Sequence, residues 1–408
     1  MAAAHILVVG GSLGGLMAAN LLHRAGHKVT LLEKSAASLD GRGAGIVTHR
    51  SLLDALRAAG AVVDDTLGVW VARRVALDLS GALQAQTAYP QLLTSWSRLY
   101  NLLRAALPAD CLRAGQELTR FSQRPDGVAV LCSNGQRYQA DLLIASDGIR
   151  STVRADLAPA VQPRYAGYAA WRGVCDEALL SACTRETLFE HFGFGLPDGE
   201  QIIGYPVAGA LNSTRRGERR YNFVWYRPAD PAAELPRLLT DASGQHHPAG
   251  ISPQQVSPSE VARMRADAHR LLAPQWAEVI AKTAAPFLQP IYDLASDRLC
   301  FGRAALMGDA AFVARPHVGM GVSKAGDDAR ALVRAIAAHG ATPAALQAYE
   351  TERVAPGLAV VERARRLGSY LEAQIGAAAN SSHRPDQRPR RDPLEVLQQT
   401  AIDLALPA

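Results

Sequence analysis

Cysteine is scarce in this chain: five in 408 residues (Cys111, Cys132, Cys175, Cys183 and Cys300), an odd number with no C-x-x-C pair. That excludes a disulfide framework, a zinc ribbon and a thioredoxin-type site as first readings, and it suits a reducing, cytoplasmic compartment. Long apolar runs are equally scarce. Residues 6–22 come nearest to a signal peptide or a span, but no basic segment precedes them and Gly10, Gly11, Gly14 and Gly15 interrupt them. Neither a leader nor a membrane segment is therefore expected. Charge of one sign is not in excess: the formal net charge is +5 and the basic residues are scattered. Without a dense basic face, interleaved aromatics or a recognisable motif, no nucleic-acid partner is expected. The mild positive balance favours small anionic ligands instead. No internal repeat stands out. What remains is a globular chain, 48% hydrophobic and 20% charged, long enough for roughly two to three domains.

The hydrophobic pattern opens with a βαβ unit. Residues 5–10 (HILVVG) read as a buried parallel strand ending in glycine. Leu16, Ala19 and Leu22 then recur at helical spacing up to Gly26, and residues 28–33 (KVTLLE) form a second strand. A glycine-rich loop follows at 41–46 (GRGAGI), then a helix over 51–59 with Ser51 as its N-cap. A helix is also expected over 96–107, between a Ser95 cap and a Pro108 stop, and a hairpin over 127–139 around Asn134-Gly135. Residues 141–145 (DLLIA) read as another buried strand. From about 160 to 290, aromatics such as Tyr168, Trp171, Phe192, Tyr205 and Trp225 alternate with polar residues and turns, the mark of an antiparallel sheet. The α/β pattern returns with a strand at 304–308, a long helix at 319–338 and one or two helices over 343–373; the polar, proline-rich stretch 380–393 reads as poorly ordered. The fold class is thus α/β: a Rossmann-type domain (1–72, 97–160 and 292–342) interrupted by a β-rich substrate domain (73–96 and 161–291), then C-terminal helices (343–375) and a tail (376–408). The run Arg215–Arg220 reads as a solvated hairpin tip.

Three motifs carry chemistry. Gly10-Gly11-Ser12-Leu13-Gly14-Gly15 lies between the first strand and its helix. Glycines there let the backbone turn tightly against a pyrophosphate, and the helix N-terminus offers free N–H groups. Glu33, followed by Lys34, ends the next strand, where an acidic side chain binds ribose hydroxyls. The second motif is Asp147-Gly148 after the strand 141–145. The third is Gly308-Asp309, followed by Arg315-Pro316-His317-Val318-Gly319-Met320-Gly321-Val322. A carboxylate at the end of a parallel strand lies at the usual ligand crevice. Either aspartate alone is more often a cap or turn residue; three such features in this order are not explained that way.

Taken together, these fingerprints resemble the single-component FAD-dependent aromatic hydroxylases of the para-hydroxybenzoate hydroxylase class, over nearly the whole chain to about residue 375. Gly45-Ile46-Val47, Tyr165-Ala166-Gly167-Tyr168, Trp171-Arg172-Gly173-Val174, Tyr205-Pro206 and Lys324-Ala325 with Asp327-Asp328-Ala329-Arg330 look most like the branch acting on hydroxypyridines. The resemblance implies that NADH or NADPH reduces FAD and that O2 then forms a flavin hydroperoxide, which hydroxylates a 2,6-dihydroxypyridine-like ring without a metal. A related monooxygenase acting on a pyridine or benzene carboxylate, with loss of the side chain, is the alternative. A dehydrogenase would have no use for the paired Asp-Gly and Gly-Asp motifs. The resemblance further implies that Gly10, Ser12, Leu13, Gly14, Gly15, Glu33 and Lys34 hold the ADP half of FAD. Arg98 and Asp147-Gly148 would lie near the cofactor, and Asp309 would bind its ribityl chain. Gly45, Ile46, Val47, Pro316, Gly319, Met320, Gly321 and Val322 would face its ring. Met320 and Ser12 depart from the usual glutamine and glycine of this class. His317, His49 and Tyr205 are the candidates for handling the proton of a ring hydroxyl. Arg172 is expected to brace the sheet or to pair with a substrate carboxylate, and a homodimer is the expected assembly.

Overall fold

The apolar run His5–Val9 becomes a central strand of a six-stranded sheet in a computed structural model of the chain, which describes residues 3–41, 45–248, 250–380 and 391–403. Across that sheet the order is Cys300–Phe301, Ala304–Leu306, Leu142–Ala145, His5–Val9, Lys28–Glu33 and Leu112–Ala114; all neighbours are parallel except the first pair. Parallel pairing brings the C-terminal ends of three strands to one edge, and the glycine turn, Asp147 and Gly308 follow those ends. The helices Leu13–Arg24 and Gly321–His339 bury their apolar stripes in the same core as the sheet. Ser95 caps the helix Trp96–Ala106 by accepting from Arg98 N–H, as its sequence predicts. The hairpin around Asn134-Gly135 joins the strands Gly127–Cys132 and Arg137–Ala140 of a three-stranded sheet.

A second, nine-stranded sheet is mostly antiparallel. Its middle runs through Arg164–Asp176, Arg220–Pro228, Gln201–Val207, His191–Gly195, Val69–Leu77 and Leu83–Ser95, and Gly45–Val47 closes one edge. This sheet therefore already starts at Gly45 and Val69, before residue 73. The two-residue alternation sorts its side chains by face. Trp171, Ile202, Phe223 and Trp225 pack against the helices Pro258–Leu271 and Pro274–Lys282. Tyr168, Phe192, Ile203, Tyr205, Val224 and Tyr226 form the core of the other face, which is also reached by Val47, Leu371 and Leu397.

The structure corrects several expectations. The N-cap of the helix Arg50–Ala58 is His49, not Ser51. The two helices Pro258–Leu271 and Pro274–Lys282 lie within the span expected to be β-rich. Their spacing of Val261, Met264, Ala268 and Leu272 was readable. The single helix Pro343–Asn380, one of the two alternatives for 343–373, runs on past 375 into the expected tail. The run 215–220 is not solvated throughout: Arg219 is buried, with its Nη2 2.8 Å from Glu177 Oε1 and its Nε 2.9 Å from Glu177 Oε2. The tail contains a helix, Pro393–Gln399, whose Val396 and Leu397 are buried. Residues 381–390 of the stretch read as poorly ordered, and 42–44 of the glycine-rich loop, lie outside the described residues.

Candidate active site

The first turn is built by steric necessity. Gly10 has φ +100°, and a Cβ there would sit 2.2 Å from Ser146 O; a Cβ on Gly15 would sit 1.8 Å from Gly10 O. Only glycine lets strand, turn and helix approach this closely. Ser12 makes no side-chain cap bond, and no acid stands in the helix's first turn. The N–H groups there remain available to an anion. The Leu13 side chain is buried in the core, so that residue offers its backbone alone. Glu33 closes the turn from the next strand: Oε2 accepts from Gly11 N–H at 2.7 Å and Oε1 from Ser35 N–H at 2.8 Å. Lys34 is exposed beside it.

The other two motifs abut the same spot. Cβ atoms placed on Gly14 and on Gly308 would both meet Ser146 Oγ and Ala325 Cβ, at 3.0–3.6 Å. Arg154, from the Asp147–Arg154 stretch, donates to Ile149 O and to Ala310 O, tying the Asp-Gly loop to the Gly-Asp loop. Asp147 Oδ2 accepts from Thr152 N–H at 2.9 Å, while Oδ1 is buried with no partner. Burial raises the Asp147 pKa, opposed by the hydrogen bonds it accepts. Asp309 is open to the crevice, yet the walls around it disfavour its charge. Desolvation raises its pKa, Lys324 lowers it and Asp328 raises it further. A Cβ added to Gly148 or to Gly321 would point into open space. An uncapped helix N-terminus, an unpartnered carboxylate oxygen and a crevice floored by glycines fit a dinucleotide. These residues can hold FAD.

Sequence reasoning gave Lys324 and Asp328 no role. Asp328 Oδ2 accepts from Gly308 N–H at 3.0 Å, and Lys324 Nζ donates to Gly308 O at 2.9 Å. Arg353 Nε donates to Asp328 Oδ1 at 2.9 Å. Both main-chain groups of Gly308 (φ +59°) are thereby clamped by buried charge, which fixes Asp309 next to it. The available signal was a Lys and an Asp four apart on the buried face of a helix.

The ring-facing candidates sit on two elements: the edge strand Gly45–Val47 of the nine-stranded sheet, and the turn Pro316–Val318 that leads into the helix Gly321–His339. Asn222 Oδ1 accepts from Gly45 N–H at 2.9 Å, and a Cβ on Gly45 would lie 2.4 Å from the Tyr205 ring. Ile46 is half-buried, and Val47 belongs to the core of this face of the sheet. Tyr205 packs edge-on against Phe192, and burial raises its pKa, so its hydroxyl keeps its proton at neutral pH. Pro316–Val318 form a single turn that ends at Gly319 (φ +65°), and the helix Gly321–His339 begins without a side-chain cap or an acid in its first turn. Val322, in that first turn, is half-buried. The Met320 side chain is buried with Val318, Val360 and Ala364, which leaves its backbone for a ligand.

His317 is buried among aromatics. Its Nε2 lies 2.9 Å from the Tyr168 hydroxyl, and Nδ1 has no partner. Burial, with Arg315 and Arg391 nearby, pushes its pKa down to about 3. His49 is buried too, with Nδ1 3.1 Å from Ser323 Oγ and Nε2 without a partner; burial lowers its pKa. Arg98 donates to Thr66 Oγ1 at 2.7 Å.

Known proteins match this chain in sequence and fold. A model of NAD(P)-binding Rossmann-like domains matches residues 8–47, and one of FAD binding domain-like sequences matches residues 165–293. The chain is 30% identical to 2,6-dihydroxypyridine 3-monooxygenase of Paenarthrobacter nicotinovorans, over 90% of this chain and 91% of the relative. The chain belongs to the FAD-dependent monooxygenases. Within them it is also 31% identical to aurachin C monooxygenase/isomerase of Stigmatella aurantiaca, over 95% and 97% of the two chains. The solved 2,6-dihydroxypyridine-3-hydroxylase from Arthrobacter nicotinovorans superposes with a TM-score of 0.85 at 29% identity, covering 96% of this monooxygenase and 99% of that chain. Klebsiella pneumoniae HpxO, solved with FAD and uric acid, superposes with a TM-score of 0.71 at 25% identity, covering 92% and 91%. No helix among the described residues of this monooxygenase is long and apolar enough to cross a membrane.

Proposed function

We propose that this monooxygenase hydroxylates a hydroxylated pyridine ring of the 2,6-dihydroxypyridine type, with NADH or NADPH and O2 as co-substrates. The observation that carries the reading is the convergence of two glycine turns, at Gly14 and Gly308, on Ser146 and Ala325, in a chain that aligns over 90% of its length with a 2,6-dihydroxypyridine 3-monooxygenase. FAD, when bound and reduced, supplies the activated oxygen. The turn Gly10–Gly15 and Glu33 receive its ADP half, with Lys34 at the rim. Asp309, Asp147-Gly148 and Arg98 line its middle. Gly45–Val47 and the backbone of Pro316 and Gly319–Val322 face its ring. Tyr205, still protonated, donates a hydrogen bond to a ring oxygen of the substrate. The neutral imidazoles of His317 and His49 each keep one nitrogen free of protein partners. A proton leaving the ring hydroxyl passes through them and does not stay, because burial disfavours both imidazolium forms. Donation from His317 Nε2–H to the Tyr168 hydroxyl leaves the Nδ1 lone pair free to accept that proton, and the Tyr168 oxygen to receive the one released from Nε2. The aromatic walls exclude water while the oxygen is transferred. The unpaired cysteines support a reducing, cytoplasmic setting.

A second reading, a ring carboxylate as substrate, rests on Arg172. Its Nη1 donates to the neutral Gln289 at 2.7 Å and its buried Nε has no partner. One assay separates the two: NADH oxidation under air against hydroxypyridines and ring carboxylates, with product mass. Stimulation by 2,6-dihydroxypyridine with one oxygen added supports the first reading. Stimulation by carboxylated rings alone replaces it with the second, and no stimulation of an FAD-loaded protein by any ring overturns both.

A further inference from the structure

The C-terminal segment 391–403 grips the ring-facing loop, and Arg74 grips that segment. Arg74, on the strand Val69–Leu77, is 0% exposed. No carboxylate answers its charge among the described residues. Nη1 donates to Leu397 O at 2.8 Å and to Thr400 O; Nη2 donates to Ala401 O at 2.8 Å and to Gln91 Oε1 at 2.9 Å. A buried cation is costly unless hydrogen-bonded. Here both Nη atoms are held by main-chain carbonyls at and just beyond the C-terminal end of the helix Pro393–Gln399, where orphan C=O groups carry partial negative charge, while Nε is buried without a partner. The rings of Tyr89 and Phe192, with centroids 4.1 and 5.2 Å from its guanidinium carbon, add cation–π attraction.

The far side of the same turn holds the loop. Ala401 N–H donates to His317 O at 2.9 Å. A Cβ on Gly319 would lie 2.9 Å from Ala401 Cβ, so the two backbones are in close register. Ala401 itself sits at φ +49°, a left-handed conformation that alanine adopts only where its surroundings impose it. Two residues on, Asp403 Oδ2 accepts from Arg50 N–H at 3.1 Å, beside His49, and Asp403 N–H donates to the Tyr89 hydroxyl at 2.8 Å. One turn of chain thus links the strand carrying Arg74, the loop carrying His317 and Gly319, and the helix start carrying His49.

We propose that Arg74 is a positioning residue: through residues 397–403 it holds the 316–320 loop in the shape that presents its backbone to the flavin ring. The proposal rests on the reading above that this loop faces the ring. The test uses the full chain purified with FAD. In Arg74→Met the loop loosens, so bound-flavin absorption and fluorescence change. The hydroxylation rate falls by about tenfold, and NADH consumption ends increasingly in hydrogen peroxide. Arg74→Lys, which keeps the charge and part of the bonding, falls between Arg74→Met and wild type. Should Arg74→Met not fold, Asp403→Ala breaks the exposed end of the link and produces the same changes to a smaller degree. Ala401→Gly relieves the left-handed backbone and raises the melting temperature by about 1–2 °C. A folded Arg74→Met (or, in its place, Asp403→Ala) that melts earlier but keeps wild-type flavin spectra and coupling overturns the proposal, leaving Arg74 a stabilising residue only. The flavin spectra need no substrate, so they read this link even where no ring is turned over. A wild-type chain unable to take up FAD overturns both readings.

Discussion

Acid should destabilise this protein in proportion to the histidines it buries neutral. His317 is 1% exposed and His49 2%, and burial holds both below the ordinary histidine value of 6.5. For His317 the folded value is about 3. The unfolded chain takes up a proton at each site as pH drops through 6.5, while the folded chain does not. The stabilisation is therefore fully present above 6.5 and is lost as pH falls toward the folded value. His317 contributes a slope of about 1.4 kcal/mol per pH unit between its folded and unfolded values, and His49 adds to the loss in the same direction. Between about pH 7 and about pH 5 that amounts to about 2 kcal/mol for His317. In a chain of this size about 2 kcal/mol moves the melting temperature by roughly 2–3 °C. The measurement is the melting temperature of wild type and His317→Phe at both pH values; phenylalanine keeps an aromatic ring beside Tyr168 and Tyr226 and cannot titrate. Wild type should lose roughly 2–3 °C more than the variant. Equal losses in the two proteins would show that His317 is either charged or solvated when folded, and would refute the buried neutral imidazole.

Gly15→Ala forces a Cβ to 1.8 Å from Gly10 O, so the turn must open; the protein should lose FAD on gel filtration and about 1–3 kcal/mol of stability, and retention of FAD would contradict the steric argument. Asp328→Ala leaves Lys324 and Arg353 buried without their anion, which should cost about 3–5 kcal/mol and weaken FAD binding, as read by thermal denaturation and flavin titration. Tyr205→Phe should keep FAD and the fold but slow hydroxylation by about tenfold or more; an unchanged turnover would remove Tyr205 from substrate contact.

By itself the sequence determined the parts whose causes are local. The run HILVVG, the glycine turn and Glu33 dictate a strand, a close approach and an acid at the next strand end, because each follows from sterics and hydrogen bonding within a few residues. The Ser95 cap and the Asn134-Gly135 hairpin were legible for the same reason. The three motifs could be placed at one crevice because parallel strands align their ends. Only the tertiary structure decided the rest. Whether Arg219 is solvated depends on Glu177, 42 residues away. Whether His317 is a base exposed to solvent or a neutral ring beside Tyr168 depends on a strand 149 residues earlier. The proline-rich tail carries no local sign that its last turn is gripped by Arg74, more than 320 residues upstream. Charge state, burial and partner are properties of the space around a side chain, and that space is assembled from segments whose sequences hold no information about one another until the chain is folded.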